Sequence, residues 1–149
     1  ALTLRDAIFM KLKLHHINLC STNVPAMDSF YRDILTLGDE DPTELPPINL
    51  EKGLVGDVAF VTDGEIQMHL TPRDFLNSFS SGQVVNPLER GHIAYRTDDI
   101  QAFMVHLTEQ GVPYSDWGSN AVKGWYQIFF YDPDGNVIEV HQIINVDEL

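Results

Sequence analysis

The sequence has a single cysteine, few basic residues and no long apolar run. Cys20 has no second cysteine with which to form an intrachain disulfide, as is common in a reducing compartment. No stretch approaches the ~20 apolar residues of a membrane-spanning helix, and the N-terminus lacks the zones of a signal peptide. We therefore expect a cytoplasmic protein that does not bind membranes.

The chain is strongly acidic. It carries 22 acidic and 9 basic residues, which gives a formal net charge of −13 at pH 7. Such a surface repels nucleic-acid phosphates and anionic lipids, so the expected partner is a small molecule. The 149 residues, of which 44% are hydrophobic, suit one globular domain.

An internal repeat dominates the sequence. Residues 14–38 (LHHINLCSTNVPAMDSFYRDILTLG) and 91–111 (GHIAYRTDDIQAFMVHLTEQG) each place a His-Ile pair in a strand-like run, followed by polar residues, an apolar helix and a glycine. The later parts also match, since GEIQMHL at 64–70 corresponds to GNVIEVH at 135–141. The chain therefore contains two copies of one supersecondary unit.

Each unit is predicted to have a strand followed by an amphipathic helix. In the first, Asn23 caps a helix that ends at Gly38, and in the second a helix spans about 98–110 and ends at Gly111. The predicted buried stripes are Met27, Phe30, Tyr31, Ile34 and Leu35 in the first helix, and Ile100, Phe103, Met104 and Leu107 in the second.

The remaining segments are predicted from turn residues and alternation. A weak strand is expected at 48–51, a hairpin at 57–62 and 65–71 across Asp63-Gly64, and a short helix opening at Pro72 and running through Phe79. Further strands are expected at 112–117, 126–131 and 136–143, the last two joined by the turn sequence DPDG.

Four possible metal ligands occupy matching places in the two units. Each precedes an aliphatic residue in its strand, so all four face away from the helices if the aliphatic residues pack beneath them: His16, His69, His92 and Glu139. Three imidazoles and one carboxylate suit one divalent transition metal, namely Fe, Mn, Co, Ni or Zn. His15 is expected on the helix-facing side, and His141 as a neighbour of Glu139 on its face.

These elements resemble the vicinal oxygen chelate superfamily, which includes glyoxalase I, methylmalonyl-CoA epimerase, extradiol dioxygenases and bleomycin-resistance proteins. The similar features are a His followed by FYRDIL and a glycine, the GHIAY strand and the DPDGNVIEV turn and strand. The resemblance implies an α+β fold in which two βαβββ modules form a curved mixed sheet around one metal-binding cup, and it implies the same four ligands.

The implied organisation is an N-terminal extension at 1–11 and a single vicinal oxygen chelate domain at 12–149. Within that domain we expect module one at about 12–71, a linker at 72–90 and module two at 91–145. The linker is either a flap over the pocket or a tether between modules. Many proteins of this superfamily are dimers, so a homodimer is expected.

By the amino-acid sequences of its strands, the chain most resembles the glyoxalase I branch, although that branch usually has Glu where this chain has His69. The implied function is isomerisation, epimerisation or lyase chemistry on a small vicinal-oxygen substrate through a metal-bound enediolate, with proton transfer by Glu139 or His69. The candidate substrate-pocket residues are Asn18, Gln67, Arg96, Lys123 and Trp125.

Two alternatives stay open. One is an iron-dependent extradiol-type dioxygenase, although that branch places a tyrosine where this chain has Phe129. The other is a binding or resistance protein that sequesters a small molecule.

Overall fold

A computed structural model describes residues 11–46 and 58–144. The strands are β1 (Lys13–Ser21), β2 (Ala59–Thr62), β3 (Gln67–Pro72), β4 (Gly91–Arg96), β5 (Ser115–Gly118), β6 (Trp125–Tyr131) and β7 (Val137–Ile143). The helices are α1 (Val24–Asp33), α2 (Asn77–Ser81) and α3 (Ile100–Glu109), with a short 3-10 helix at Pro42–Glu44. None of the helices in these ranges is long and apolar enough to span a membrane.

The strands form one mixed, open sheet in the order β2-β3-β1-β4-β7-β6-β5. Strand β1 pairs with β3 in parallel, and β4 pairs with β7 in parallel, so each half repeats the same crossover through its helix. The two halves meet at the centre, where β1 and β4 are antiparallel. The predicted α+β fold of two repeated modules is confirmed. The strand predicted at 48–51 and most of the N-terminal extension lie outside the described residues.

The central pairing depends on Gly91. Its φ is +127°, and a Cβ built there would lie 2.0 Å from the backbone oxygen of Asn18 on β1. Only glycine permits this approach, because other residues rarely adopt such a φ and their Cβ would overlap the neighbouring strand.

Helix α3, the helix of the second repeated unit, forms as its sequence predicts. Asp99 caps its start by accepting a hydrogen bond from the Ala102 N–H at 2.9 Å. Gly111, at φ +71°, ends it in a Schellman motif, with Gly111 N–H bonded to Thr108 O and Val112 N–H to Leu107 O. Its predicted stripe is buried and packs on the sheet face formed by Ile128 and Val140.

The first helix differs from the prediction at its end and on its face. Asn23 caps it as predicted, but α1 ends at Asp33, and Thr36 rather than Gly38 adopts a positive φ. Val24 is buried, whereas three residues of the predicted buried stripe are largely exposed: Phe30 by 49%, Ile34 by 66% and Leu35 by 49%. Ile34 and Leu35 lie beyond the last helical residue, and Phe30 lies on a side of α1 that the sheet does not cover.

The linker prediction was also partly wrong. Pro72 is the last residue of β3 rather than the start of a helix, and α2 begins only at Asn77. Phe75, Leu76 and Phe79 are exposed.

Candidate metal centre and its cavity

The face of the sheet opposite α1 and α3 carries a group of buried polar side chains. Period-two alternation puts His16 and Asn18 on this face of β1, His92 on β4, and Glu139 and His141 on β7. Burial on this face arises because the curved sheet encloses it. These side chains are therefore shielded from bulk water and find their hydrogen-bond partners within the protein.

Two histidines converge on one carboxylate. The Nε2 atom of His16 lies 3.1 Å from Oε2 of Glu139, and the Nε2 atom of His92 lies 3.9 Å from the same oxygen. One ligand atom from each of the three side chains lies within 4.8 Å of the others. The three come from β1, β4 and β7, so both halves of the chain contribute.

The other ring nitrogens of these histidines are already engaged. Nδ1 of His92 lies 3.2 Å from the Pro87 carbonyl, which only accepts, so this nitrogen donates and Nε2 keeps its lone pair. Nδ1 of His16 lies 2.8 Å from Nδ1 of His15. When His15 accepts in that contact, Nε2 of His16 also carries a lone pair. This is the arrangement of metal-binding histidines, whose second nitrogen is held by a hydrogen bond.

Glu139 is held from two further directions. Gln127 Nε2 donates to Oε1, and His141 Nδ1 lies 3.3 Å from Oε2. Arg96 Nε donates to His141 Nε2 at 3.0 Å, so the histidine accepts there and donates to the carboxylate through Nδ1. Arg96, His141 and Glu139 thus form a chain of hydrogen bonds that leads into the site.

The site favours an ionised Glu139 and neutral side chains of His69 and His92. Burial raises the pKa of Glu139, but the opposing effects of His16 and His141 are together larger, so its pKa lies well below the usual value. Burial lowers the pKa of His92 to about 4 and takes the pKa of His69 well below its usual value.

His69 is buried beside this group but is oriented differently. Its ring stacks on that of His16 with centroids 3.9 Å apart, and its Nε2 lies 2.8 Å from Gln67 Oε1. Gln67 in turn donates from Nε2 to the Glu44 carbonyl at 2.9 Å, which fixes Oε1 as the acceptor for His69. In the described residues, His69 is not within the groups of ligand atoms that lie together.

A cavity opens in front of these side chains. It has about 100 Å³ of space open to water molecules and is lined mostly by apolar and aromatic side chains. His16, His69, His92 and Glu139 all contribute to its wall.

A family model described as the Glyoxalase/Bleomycin resistance protein/Dioxygenase superfamily matches residues 13–140. The chain belongs to this superfamily. A comparison with curated proteins found none that matches.

A separate comparison with solved structures found proteins that share this fold. A hypothetical protein from Bacillus halodurans C-125 is 20% identical with a TM-score of 0.62, covering 89% of this chain and 94% of its own. Methylmalonyl-CoA epimerase from Mycobacterium tuberculosis is 19% identical with a TM-score of 0.56, covering 89% and 88%. A variant of the Streptomyces coelicolor epimerase, in complex with 2-nitronate-propionyl-CoA, is 17% identical with a TM-score of 0.57, covering 87% and 96%.

The donor set of this superfamily member suits a divalent cation. Without a cation, Nε2 of His16 can donate a hydrogen bond to Glu139 at 3.1 Å, but the lone pair of His92 Nε2 would face the ionised carboxylate at 3.9 Å in a buried site, which is electrostatically unfavourable. A divalent ion between His16, His92 and Glu139 would reverse this, and nitrogen with carboxylate oxygen suits Zn, Fe, Mn, Co or Ni.

The substrate-pocket candidates divide into three groups. Asn18 and Trp125 line the cavity described above. Gln67 and Arg96 line a separate cavity beside His15. Lys123 is exposed and lines neither.

Two features of the site were not predicted from sequence. His15 does not face the helix, because a shift in the β1–β4 register between Leu14 and His16 brings its ring 5.0 Å from that of His141. The sequence alone also does not single out Gln127, the cross-strand partner of His141, which bonds to Glu139. Its place opposite His141 in the hairpin was the available signal.

Proposed function

We propose that this chain is a metal-dependent enzyme that acts on a small substrate with two adjacent oxygen atoms. The ion would be held by His16, His92 and Glu139. The observation that carries the proposal is the convergence of two imidazole Nε2 atoms on one buried carboxylate, with the Nδ1 atoms engaged elsewhere. Such an ion would polarise a substrate carbonyl and stabilise negative charge that develops on its oxygen.

The proposed reaction is a glyoxalase I-like isomerisation, epimerisation or lyase step beside a carbonyl group. This chemistry needs a group that moves a proton next to the ion. His69 suits that role because Gln67 fixes its Nε2 as the donor, so Nδ1 is the basic nitrogen of a neutral side chain in the cavity wall. Glu139 is the second candidate. For His69 to bind the ion as a fourth ligand through Nε2, its ring would have to break the hydrogen bond to Gln67.

Ion binding tests the proposal first. Chelator-treated protein would be titrated calorimetrically with Zn²⁺, Mn²⁺, Co²⁺, Ni²⁺ and, without oxygen, Fe²⁺. We expect one ion per chain and a higher unfolding temperature, since an ion at 100 times its Kd adds about 2.7 kcal/mol to the free energy of unfolding. Glu139→Gln should lose this binding, while the exposed Glu109→Gln should keep it. Absence of ion uptake by the wild type would overturn the proposal.

Turnover tests the catalytic part. With a hydroxy-carbonyl substrate, His69→Gln should keep the ion and lower kcat by roughly 100-fold or more, the usual effect of general acid-base catalysis. Loss of the ion in that variant would instead assign His69 as a ligand. Full turnover by Glu139→Gln would contradict the mechanism.

An iron-dependent dioxygenase is the second candidate. It is favoured by one observation, namely that the converging group is two histidines and one carboxylate, a set typical of non-haem Fe²⁺ oxygenases. Oxygen consumption by the Fe²⁺-loaded protein with vicinal diols would select it. A binding protein would return its ligand unchanged with no need for an ion.

A homodimer in the cytoplasm remains part of our proposal, tested by sedimentation and by cell fractionation.

A further inference from the structure

The cavity wall contains polar atoms without partners. The buried side-chain atoms that lack a hydrogen bond in the described residues are Asn77 Oδ1, Trp117 Nε1 and Gln127 Oε1. All three residues line the cavity in front of Glu139. A buried polar atom without a partner costs about 1–3 kcal/mol, so a ligand that bonded to these atoms would recover that free energy. Their grouping in the wall of one cavity makes it the place where a bound molecule or ordered water would supply the missing partners.

The atoms differ in how firmly their chemistry is fixed. Trp117 Nε1 is a donor only. Gln127 Oε1 is an acceptor, because the Nε2 atom of the same amide donates to Glu139. The wall residues therefore carry one fixed donor and one fixed acceptor besides the amide of Asn77, and this set suits a carbonyl and a hydroxyl group and gives no preference for an anion.

The described part of this wall carries no cationic side chain. Among the residues that the structure describes around the cavity, none is a lysine or an arginine. The guanidinium of Arg96 is directed elsewhere, donating to His141 and lying 5.1 Å from the centroid of the Trp125 ring. A substrate carboxylate or phosphate beyond the ion would lose its hydration without gaining a cationic partner among the described residues, and the net charge of −13 would oppose its approach.

Aromatic rings form the remainder of the wall. Trp117 packs edge to face on Phe129 with centroids 5.3 Å apart, and Phe129 packs in the same way on His92 at 5.5 Å. On the opposite side Phe60 packs on His69 at 4.8 Å. These surfaces favour a flat ring between them. The space of about 100 Å³ is smaller than the ~150 Å³ cavity that accommodates benzene, so it suits the small end of a larger aromatic molecule.

We propose that the cavity takes an uncharged aromatic hydroxy-carbonyl compound whose oxygen substituents are bound by Trp117 Nε1 and Gln127 Oε1 as well as by the ion. This inference rests on the function proposed above and specifies its substrate class. Trp117 is the specificity-determining residue that can be tested without disturbing Glu139.

Three matched probes test the substrate class. Binding to the Zn²⁺-loaded protein would be measured calorimetrically for 2-hydroxyacetophenone, for hydroxyacetone, which lacks the ring, and for the 4-carboxylate of 2-hydroxyacetophenone. We expect the first to bind at least 10-fold more tightly than either of the others. Equal affinity for hydroxyacetone would overturn the aromatic part, and equal affinity for the carboxylate would overturn the uncharged part.

Trp117→Phe tests the hydrogen bond, because it removes the N–H and keeps an aromatic ring. We expect it to weaken 2-hydroxyacetophenone binding by about 5-fold, within the range of one hydrogen bond. Tyr131→Phe, which removes one polar atom from an aromatic ring that is 45% exposed, should leave the affinity unchanged. Equal affinities of Trp117→Phe and wild type would overturn the role of Trp117.

The two proposals fail in different ways. Uptake of one ion per chain with no binding of any probe would overturn the substrate class and leave the metal site standing. Probe binding without any ion uptake would overturn the proposed function and keep the aromatic cavity. Absence of both would overturn both.

Discussion

Arg96 Nε lies 3.0 Å from Nε2 of His141, a histidine that has no exposed surface. The donor nature of arginine fixes which nitrogen of the imidazole carries hydrogen, and that hydrogen is directed to Glu139. A residue outside the cavity therefore controls the orientation of a proposed metal ligand. Interactions of this kind, one step removed from the ion, commonly alter metal affinity by 10- to 100-fold.

We predict that His141→Ala weakens ion binding by about 10- to 100-fold, because Glu139 loses the donor that orients it. His141→Asn should restore part of the affinity, since its amide can donate in place of Nδ1–H. Competition with a chelator would measure the affinities. Ile143→Ala, at a position that is 57% exposed on the same strand, is the control. Wild-type affinity in His141→Ala would show that the contact is structural only.

The close approach of Gly91 to β1 gives a prediction about stability. Gly91→Ala should lower the free energy of unfolding by about 3 kcal/mol or more, because the methyl group would overlap Asn18 O and φ is unfavourable. Gly38→Ala is the matched control, since nothing lies within 4 Å of its added Cβ, and it should change stability by less than about 1 kcal/mol. Urea unfolding measures both. Similar values for the two variants would mean that the central strands can separate at little cost.

The cap of α3 gives a smaller effect. Asp99→Ala should lower the free energy of unfolding by about 1 kcal/mol, because Ala102 N–H loses its acceptor. Asp98→Ala next to it, also exposed, should stay within about 0.5 kcal/mol of the wild type. Thermal unfolding of both variants checks the difference, and equal destabilisation would assign the effect to charge rather than to capping.

Tyr126 predicts an alkaline transition. Partial burial, and then the hydrogen bond to Asp116 at 2.7 Å with its negative charge, raise the pKa of Tyr126 to about 12. Because the unfolded pKa is about 10, the phenol's contribution is fully present below pH 10 and is lost as the pH rises through about 12.

Tyr126→Phe should therefore be less stable than the wild type at pH 8, by less than about 1 kcal/mol because the pair is largely solvent-exposed. The difference should shrink between pH 10 and pH 12. Urea unfolding of both proteins across this range tests it. A constant difference up to pH 12 would show that the hydroxyl does not titrate as its surroundings predict.

Local patterns account for much of this fold. Alternation in β1, β4 and β7 is sufficient to put His16, His92 and Glu139 on one face, and caps and glycine are sufficient to bound α3. These features depend on short stretches of backbone geometry, which the sequence encodes directly.

The parts that sequence did not predict depend on contacts between distant strands. The side chain of His15 is turned inward by a register shift against β4, which neither strand reveals alone. His69 occupies a position symmetric with Glu139, but the flat stacking of its ring on His16 and its bond to Gln67 are side-chain choices made in the assembled site. The exposed Phe30 shows similarly that an amphipathic pattern sets the direction of a helix face but not how much of it is covered.

The antiparallel seam between β1 and β4 sets Asn18 opposite His92. Because side chains alternate along a strand, a slip of one residue in this pairing would turn His92 to the outer face and separate it from His16 and Glu139. An ion held by those three side chains would bind only to the correctly paired chain. Such an ion would therefore stabilise the native register of β1 and β4 over slipped alternatives, in addition to any part it takes in chemistry.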